Sequence, residues 1–238
     1  MSNYVSTKSC LSDKAIVKYR EQGDIVIEPF NMKQLNTSSY DVTIGEYYFR
    51  EQKLKEWDTN IYNMYSETMV DKVWGKPQMA KPYSEYIKEG LILDNVHPNE
   101  KIIIIQPGER ILAHTNEYIG GVYKVTTMMK SRSSLGRNFI ETCSCAGFGD
   151  VGYINRWTME ITNNSTNYAI PLIVGRRVAQ IVFLDTDGIL ANNYASKGKY
   201  QTASKLEELM KNWKPEDMLP KMYNDYEVIE MQERYGQL

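Results

Sequence analysis

Residues 39–49 of the sequence read SYDVTIGEYYF, and this stretch decides the class of fold that we expect. β-Branched and aromatic residues fill it on both sides of Gly45, which is typical of a strand, a turn or bulge, and a second strand. Similar short apolar stretches recur, separated by Gly, Asn and Pro, at residues 101–106, 110–115, 123–129, 156–162, 169–174 and 179–184. Short strands without long helices between them predict a mainly β core, a distorted barrel or jelly roll.

Helical patterns are confined to the two ends of the chain. Ser12 and Asp13 suit the start of a short helix that Gly23 would end. Near the other end, apolar residues recur at helical spacing: Leu206, Leu209, Met210 and Trp213. Pro215 would end that second helix.

Residues 51–95 differ from the strand-rich sequence on either side. They are mixed and polar, contain Pro77 and Pro82, and follow no sustained period. We interpret them as an insertion, partly irregular or helical, in a β scaffold. The predicted organisation is therefore one domain over residues 1–201, with the insertion at 51–95, followed by a helical extension at 202–238.

Composition limits the partners and the compartment that we expect. The 238 residues are 42% hydrophobic and 24% charged, with a net charge of −2. A nearly neutral chain has no overall attraction for nucleic acid or for an anionic membrane, so we predict neither as a partner. No apolar run reaches the roughly 18–20 residues that span a bilayer, and the N-terminus lacks a signal-peptide core. Three cysteines cannot all pair, which favours reduced thiols and a cytoplasmic location.

Metal-binding signatures are weak. Zinc-dependent deaminases combine His-x-Glu with Pro-Cys-x-x-Cys, and this chain has only His97, His114 and the close pair Cys143 and Cys145. A zinc site built from His114 and that pair would lack an obvious fourth ligand, so packed thiols are the favoured interpretation. GxxxxGK[ST] does not occur. We predict no metal ion held by protein ligands and no zinc.

Residues 130–137 (KSRSSLGR) form the first candidate binding segment. Two arginines offer planar donor forks, three serines add hydroxyl donors, and Gly136 lets the backbone approach a ligand. These are the groups that bind a phosphate chain. On composition alone, a solvated basic loop remains the alternative.

Residues 146–160 (AGFGDVGYINRWTME) form the second candidate segment. Strand alternation would turn Trp157 and Met159 to one side and Thr158 and Glu160 to the other. A glutamate facing an apolar pocket has a raised pKa, which suits a general base. On this segment alone, a Glu facing solvent remains the alternative.

Taken together and in order, the motifs of this chain resemble those of the dCTP deaminase branch of the trimeric dUTPase-like superfamily. The family loop [KR]-S-S-L-[AG]-R is matched at residues 132–137, and A-G-[FW]-I-D-x-G-[FY]-x-G-x-[IV]-T-L-E is matched in part at 146–160. Three further segments resemble family motifs: residues 27–45, residues 171–183, and Tyr194 with residues 198–201. The resemblance implies a dUTPase-like distorted β-barrel and the deamination of dCTP to dUTP.

The resemblance also assigns roles to individual residues. Glu160 corresponds to the glutamate that activates water for attack on C4 of cytosine, while Ser133 and Arg137 help to order that water. The loop that holds the triphosphate comprises Arg132, Ser133, Ser134, Leu135, Gly136 and Arg137. Asp150 corresponds to the residue that contacts the deoxyribose 3′-hydroxyl. The other positions implied to contact the nucleotide are Ala146, Thr158, Met159, Gln180, Tyr194 and Lys199.

Cofactor and assembly are likewise implied by the resemblance. Mg²⁺ would bridge phosphate oxygens of the nucleotide, and a homotrimer would hold its active sites between subunits. Some family members also cleave the product to dUMP and diphosphate, and residues 146–148 (AGF) favour that bifunctional type. Gly149 departs from the family Ile, and Ala203 stands where a Gln is expected. A dUTP diphosphatase without deaminase activity, and a non-catalytic nucleotide-binding module, stay open as alternatives.

Overall fold

The computed structural model describes residues 10–55, 59–144, 146–186, 188–190, 194, 198–201, 203 and 205–236. The strands are β1 (Ile25–Glu28), β2 (Leu35–Asn36), β3 (Ser39–Arg50), β4 (Gln78–Met79), β5 (Lys81–Pro82), β6 (Lys101–Ile105), β7 (Arg110–Gly121), β8 (Val125–Ser131), β9 (Ile140–Thr142), β10 (Phe148–Gly149), β11 (Ile154–Asn163), β12 (Ile170–Ile173) and β13 (Arg177–Asp185). The helices are α1 (Asp13–Glu21), α2 (Glu67–Trp74), α3 (Tyr83–Lys88), α4 (Ser133–Gly136), α5 (Leu206–Asn212) and α6 (Tyr226–Tyr235), with 3₁₀ turns at Met32–Gln34, Pro215–Met218 and Met222–Asn224.

A curled antiparallel sheet forms the body of the protein. Its strands follow the order β10-β8-β13-β3-β7-β11-β9, with β1 paired to β7 and both β2 and β4 paired to β3. A second sheet has the order β12-β6-β5. The main hydrophobic core takes residues from both sheets and from α1. The predicted mainly β fold, with a short N-terminal helix and a helical C-terminal tail, is confirmed.

Strand β3 contains the stretch from which the fold was predicted. Its register against β7 slips between Ile44 and Tyr48, so a bulge interrupts the strand as predicted. Gly45 lies in this bulge, where a Cβ atom would be 1.9 Å from the imidazole of His114. The close approach of that ring explains why the position carries no side chain.

The N-terminal helix α1 has the termini that the sequence predicts. The hydroxyl of Ser12 accepts a hydrogen bond from the backbone N–H of Ala15 at 3.4 Å. After the helix ends, Gly23 adopts a φ of +82°, which glycine accommodates without steric cost. Leu11 and Ile16 are fully buried and join α1 to the core.

The insertion and the C-terminal tail pack against each other beside β3 and β7. Val70 of α2 belongs to one apolar cluster with Met218 and Leu219 of the tail and with Phe49 and Leu112 of the strands. The predicted partly helical character of residues 51–95 is confirmed by α2 and α3. No helix among the described residues is long and apolar enough to cross a bilayer.

Candidate active site

A cavity of about 460 Å³ lies where the tail and the insertion meet the β7–β11 strand pair. Its floor comes from these two strands, and its wall comes from residues that follow β9. The residues that line it are Trp74, Arg110, Leu112, Ala146, Phe148, Gly149, Asp150, Tyr153, Trp157, Thr158, Glu160, Tyr194, Tyr200, Met218 and Pro220. A single chain thus encloses Glu160 with elements from four distant parts of the sequence.

Glu160 lies on β11, directly opposite Leu112 of β7. Thr158 and Glu160 both line the cavity and Met159 is fully buried in the core, as strand alternation predicts. Trp157 was predicted on the side of Met159 but also lines the cavity, because the register of β11 against β7 shifts between Arg156 and Thr158. The Oε2 atom of Glu160 is buried and has no hydrogen-bond partner. Burial raises the pKa of this carboxyl group above its usual value. Such a group can accept a proton from water and return it within a shielded site.

Two side chains adjoin this carboxylate. The backbone N–H of Cys143 donates to the carbonyl oxygen of Glu160 at 3.2 Å, and its side chain is buried. Burial raises the pKa of the Cys143 thiol, so the sulfur stays protonated at neutral pH. Arg110 also lines the cavity, and its Nε donates to Oγ1 of Thr162 at 3.0 Å. Both side chains favour the charged form of the carboxylate, the thiol by a hydrogen bond and Arg110 by its charge.

Both ring nitrogens of His114 take part in hydrogen bonds. Nδ1 is 2.8 Å from the carbonyl oxygen of Thr115, and Nε2 accepts a hydrogen bond from the backbone N–H of Tyr47 at 3.2 Å. Cys145, the other member of the zinc set considered from the sequence, lies outside the described residues. Within the described ranges, no three His, Cys, Asp or Glu side chains group to hold a metal ion.

Aromatic rings build one wall of the cavity. The ring centroid of Tyr153 is 5.3 Å from that of Trp157 and 5.2 Å from that of Tyr194, in edge-on arrangements. A Cβ atom at Gly149 would lie 2.5 Å from the Trp157 ring. The departure from the family Ile is thus explained, because the Trp157 ring fills the space beside residue 149. Asp150 lines the mouth of the cavity and is exposed.

The arginine and serine loop lies elsewhere in the same chain. Arg132 and Leu135 line a separate cavity of about 520 Å³ together with Arg177. Nε of Arg132 is 3.3 Å from Oδ2 of Asp41, and the same oxygen is 3.0 Å from Nη1 of Arg177. The remaining residues of the loop are exposed: Ser133, Ser134, Gly136 and Arg137.

Strand β9 separates the loop from Glu160 within one chain. Cys143, just after β9, pairs with Glu160, whereas Phe139, just before β9, accepts a hydrogen bond from the backbone N–H of Asn164. Four extended residues span about 13 Å. Arg137 precedes this stretch, and none of residues 132–137 lines the cavity that holds Glu160.

The other residues that were predicted to contact the nucleotide lie in several different parts of the structure. Ala146, Asp150, Thr158 and Tyr194 line the Glu160 cavity, whereas Met159 does not. Gln180 lies on β13 between Asp41 of β3 and Lys130 of β8. Lys199 forms an ion pair with Asp225 of the tail.

Sequence reasoning did not find Arg110, Trp74 or Met218 as parts of the site. Arg110 follows a Pro-Gly turn at the start of a strand and is exposed, so no local pattern marks it as part of a site. Trp74 and Met218 lie in the insertion and the tail, and their approach to the cavity depends on tertiary packing. The apolar spacing of α2 was the available signal, but it does not identify which strands the helix covers.

The comparisons with known proteins agree on one family. A family model described as dCTP deaminase-like matches residues 10–186. The "dCTP deaminase, dUMP-forming" of Methanobrevibacter smithii is 28% identical over 221 residues, which are 92% of this chain and 97% of that relative. The protein of the same name from Hydrogenobaculum sp. is 33% identical over 181 residues, which are 75% of this chain and 84% of that relative.

A solved structure supports the fold. The crystal structure of 2′-deoxycytidine 5′-triphosphate deaminase from Agrobacterium tumefaciens matches with a TM-score of 0.52 at 16% sequence identity. The match covers 75% of this chain but only 49% of that chain, so this chain spans about half its length. At this level of identity, the likeness shows a shared fold.

Proposed function

Because the chain belongs to the dCTP deaminase-like family, we propose that it hydrolyses dCTP to dUTP and ammonia and then cleaves dUTP to dUMP and diphosphate. The observation that carries this proposal is the buried, partner-free Oε2 of Glu160 inside a cavity walled by aromatic rings. The names of the relatives from Methanobrevibacter smithii and Hydrogenobaculum sp. support both steps.

In the proposed deamination, Glu160 acts as the general base and then as the general acid. Its carboxylate takes a proton from water, and the resulting hydroxide adds to C4 of the cytosine ring. The carboxylic acid gives this proton to N3 of the ring. The carboxylate then takes the proton of the new C4 hydroxyl and passes it to the amino group, which leaves as ammonia while the C4 carbonyl forms. A desolvated carboxyl group suits both the uptake and the release of a proton, because its raised pKa is closer to the pH at which the enzyme works.

A homotrimer would complete the site with the arginine and serine loop of a neighbouring copy. Within one chain this loop lies beyond β9, and Arg110 is the sole cation among the described residues that line the Glu160 cavity. A triphosphate needs several donors. The exposed Ser133, Ser134 and Arg137 are free to provide them across an interface between copies.

The remaining contacts follow the family pattern. Asp150, at the mouth of the cavity, would accept a hydrogen bond from the 3′-hydroxyl of the sugar. Tyr194 would pack beside the nucleotide from the wall that it already forms with Tyr153. Gln180 and Lys199 would contribute from outside the cavity, and Lys199 would have to leave Asp225 to do so.

Mg²⁺ is proposed to arrive with the phosphates of the substrate. The loop around Arg132 offers cations and hydroxyls, a donor set that suits phosphate oxygens and not a bare metal ion. When bound, Mg²⁺ supplies charge neutralisation on the triphosphate, and the protein residues contact that chain around it. Deamination in this proposal needs no zinc.

A nucleotide panel tests the proposed function directly. The protein is incubated with Mg²⁺ and with dCTP, dUTP or dTTP, and ammonia and diphosphate are measured separately. We expect ammonia, dUMP and diphosphate from dCTP. Diphosphate from dUTP with dCTP left intact would favour the dUTP diphosphatase, and tight binding without turnover would favour the nucleotide-binding module. Either result would refute the proposal.

The variant Glu160→Gln tests the role of the carboxylate. The amide keeps the shape of the side chain but cannot accept the proton, so ammonia release should fall by at least about 1,000-fold while dCTP still binds. The matched control is Glu141→Gln, which removes a carboxylate from the neighbouring strand β9 and should retain activity. Substantial ammonia release by Glu160→Gln would show that another group is the base.

A further inference from the structure

Arg110 and Glu160 share one face of the β7–β11 strand pair. Glu160 lies opposite Leu112, and Thr162 lies opposite Arg110, so Arg110 and Glu160 are diagonal neighbours. Diagonal Cβ atoms on one face are about 7–8 Å apart, which long side chains can bridge. Both side chains line the same cavity.

A hydrogen bond holds the guanidinium of Arg110 at this place. Its Nε donates to Oγ1 of Thr162 at 3.0 Å, which directs the side chain across the strand pair. The same side chain also lines a second cavity of about 320 Å³ formed largely by the insertion, and Trp74 borders both spaces. The cation thus lies at the junction of the two cavities.

The surroundings of Glu160 leave a problem for a general base. The carboxylate must be charged to accept a proton, yet burial favours its neutral form. Hydrogen bonds from the Glu160 backbone and the Cys143 thiol act in the opposite direction, and the positive charge of Arg110 adds a further, smaller contribution that favours the charged form. A carboxylate without any cation nearby would be protonated over more of the working pH range.

We propose that Arg110 is a positioning residue that keeps Glu160 ionised in the substrate-free site. This inference rests on the proposed function, since it concerns the same general base. None of the motif segments quoted from the sequence includes residue 110.

The other groups of the same chain that line the cavity around Glu160 do not supply this charge. Cys143 follows β9 and stays neutral, since burial raises the pKa of its thiol. From the aromatic wall, Tyr153 and Tyr194 are neutral, because burial raises the pKa of both hydroxyls. Asp150 and Tyr200 also line the cavity but neither carries a positive charge, and among the described residues α2 and the tail contribute only the uncharged Trp74, Met218 and Pro220.

The test is the pH dependence of kcat/KM for ammonia release from dCTP, which reports ionisations of the free enzyme. In Arg110→Met, we expect the acid limb to move up by about 0.5–1 pH unit, because the cation is only partly desolvated. At pH values below the limb, kcat/KM of Arg110→Met should therefore be about three- to tenfold lower than that of the wild type. At pH values on the plateau, the two values should be nearly equal. Arg110→Lys keeps the charge and should restore most of the limb.

A matched control separates this local effect from a change in total charge. Lys81→Met removes a cation from an exposed position on β5, in the other sheet, and should leave the acid limb in place. The arginine and serine loop of a neighbouring copy is unchanged in every variant. Its effect on the ionisation of Glu160 is therefore the same in all of them and cancels from the comparison. If Arg110→Met raises KM equally at every pH, or leaves the limb unmoved, the inference is overturned.

A second variant covers the case in which Arg110→Met does not fold. Thr162→Val removes the hydroxyl that accepts from Arg110 but keeps the shape of the side chain and the cation. We expect a smaller upward movement of the same limb, and no movement would count against the inference. The two proposals can fail separately. If Glu160→Gln loses ammonia release while the acid limb of Arg110→Met does not move, the proposed function stands and only the role of Arg110 is refuted.

Discussion

At the scale of single residues, His114 shows how burial fixes a protonation state behind the site. It is 1% exposed, faces Gly45 across the β3 bulge, and lies with its ring centroid 4.6 Å from that of Trp213. Burial lowers the pKa of its imidazole to about 4. The neutral ring can then accept the backbone N–H of Tyr47, and protonation would break that hydrogen bond.

This burial predicts that stability falls in mild acid. The unfolded chain binds a proton at His114 near its ordinary pKa of 6.5, whereas the folded chain does so near 4. The free energy of unfolding should therefore be highest above pH 6.5 and decrease by roughly 3 kcal/mol from this residue as the pH falls towards 4. Urea unfolding at several pH values measures the slope.

Two histidine variants check the assignment of that slope. His114→Gln should flatten the profile between pH 6.5 and 4, because the titrating group is removed. His97→Gln, at an exposed position, should leave the profile unchanged. The same slope in wild type and in His114→Gln would assign the acid sensitivity to another residue.

Single residues of the site differ in how far the sequence predicts them. Alternation along β11 correctly separates Thr158 and Glu160 from Met159, because the strand period of two is a local property. The proximity of Arg110 to Glu160 depends on the register of β7 against β11, 50 residues apart in number. That register is set by packing across the whole sheet, so the sequence alone does not place the two side chains together.

At the scale of elements, α2 and the tail act as a cover over the cavity. Val70 is 1% exposed and packs with Met218 and Leu219, while Trp74, one turn further along α2, lines the cavity with Met218 and Pro220. The cover removes water from the space around Glu160. Its apolar contacts thereby contribute to the raised pKa of the carboxyl group.

The variant Val70→Ala tests this cover. Removal of two buried methyl groups should lower the free energy of unfolding by about 2 kcal/mol, and the loosened α2 should raise KM for dCTP because Trp74 moves with it. Ile92→Ala, at a position that is 84% exposed, should change stability by less than about 0.5 kcal/mol. Equal thermal midpoints for Val70→Ala and wild type would contradict the packing.

The insertion was predicted only as partly irregular or helical, and the reason is physical. Helix α2 has eight residues, and its apolar positions are stabilised mainly by Phe49, Leu112 and Met218, which are distant in sequence. A short helix of this kind has little stability of its own, so local sequence patterns carry a weak signal. The core strands, in contrast, have both the apolar composition and the turn residues that identify them.

At the scale of the whole molecule, one copy of the chain holds the groups of the site in two places. The Glu160 cavity contains the base and the aromatic wall, and the separate cavity with Arg132 and Arg177 contains cations. The backbone pairing of β9 keeps the two apart in a single copy. A ring of copies that places one cavity against the loop of the next would join them, since a heterologous interface can close with threefold symmetry.

Mixing two inactive variants tests this arrangement. Glu160→Gln lacks the base and Arg137→Ala lacks the loop cation, so each homotrimer should be nearly inactive for dCTP. In each mixed trimer formed by co-expression, one of the three sites is intact, because there the Arg137→Ala copy supplies Glu160 and the Glu160→Gln copy supplies Arg137. Random assembly therefore leaves about a quarter of all sites intact. Differently tagged copies and native mass spectrometry confirm that mixed trimers formed. Mixed trimers without restored ammonia release would mean that base and loop act within one copy, and a monomeric mass at working concentration would exclude the shared site altogether.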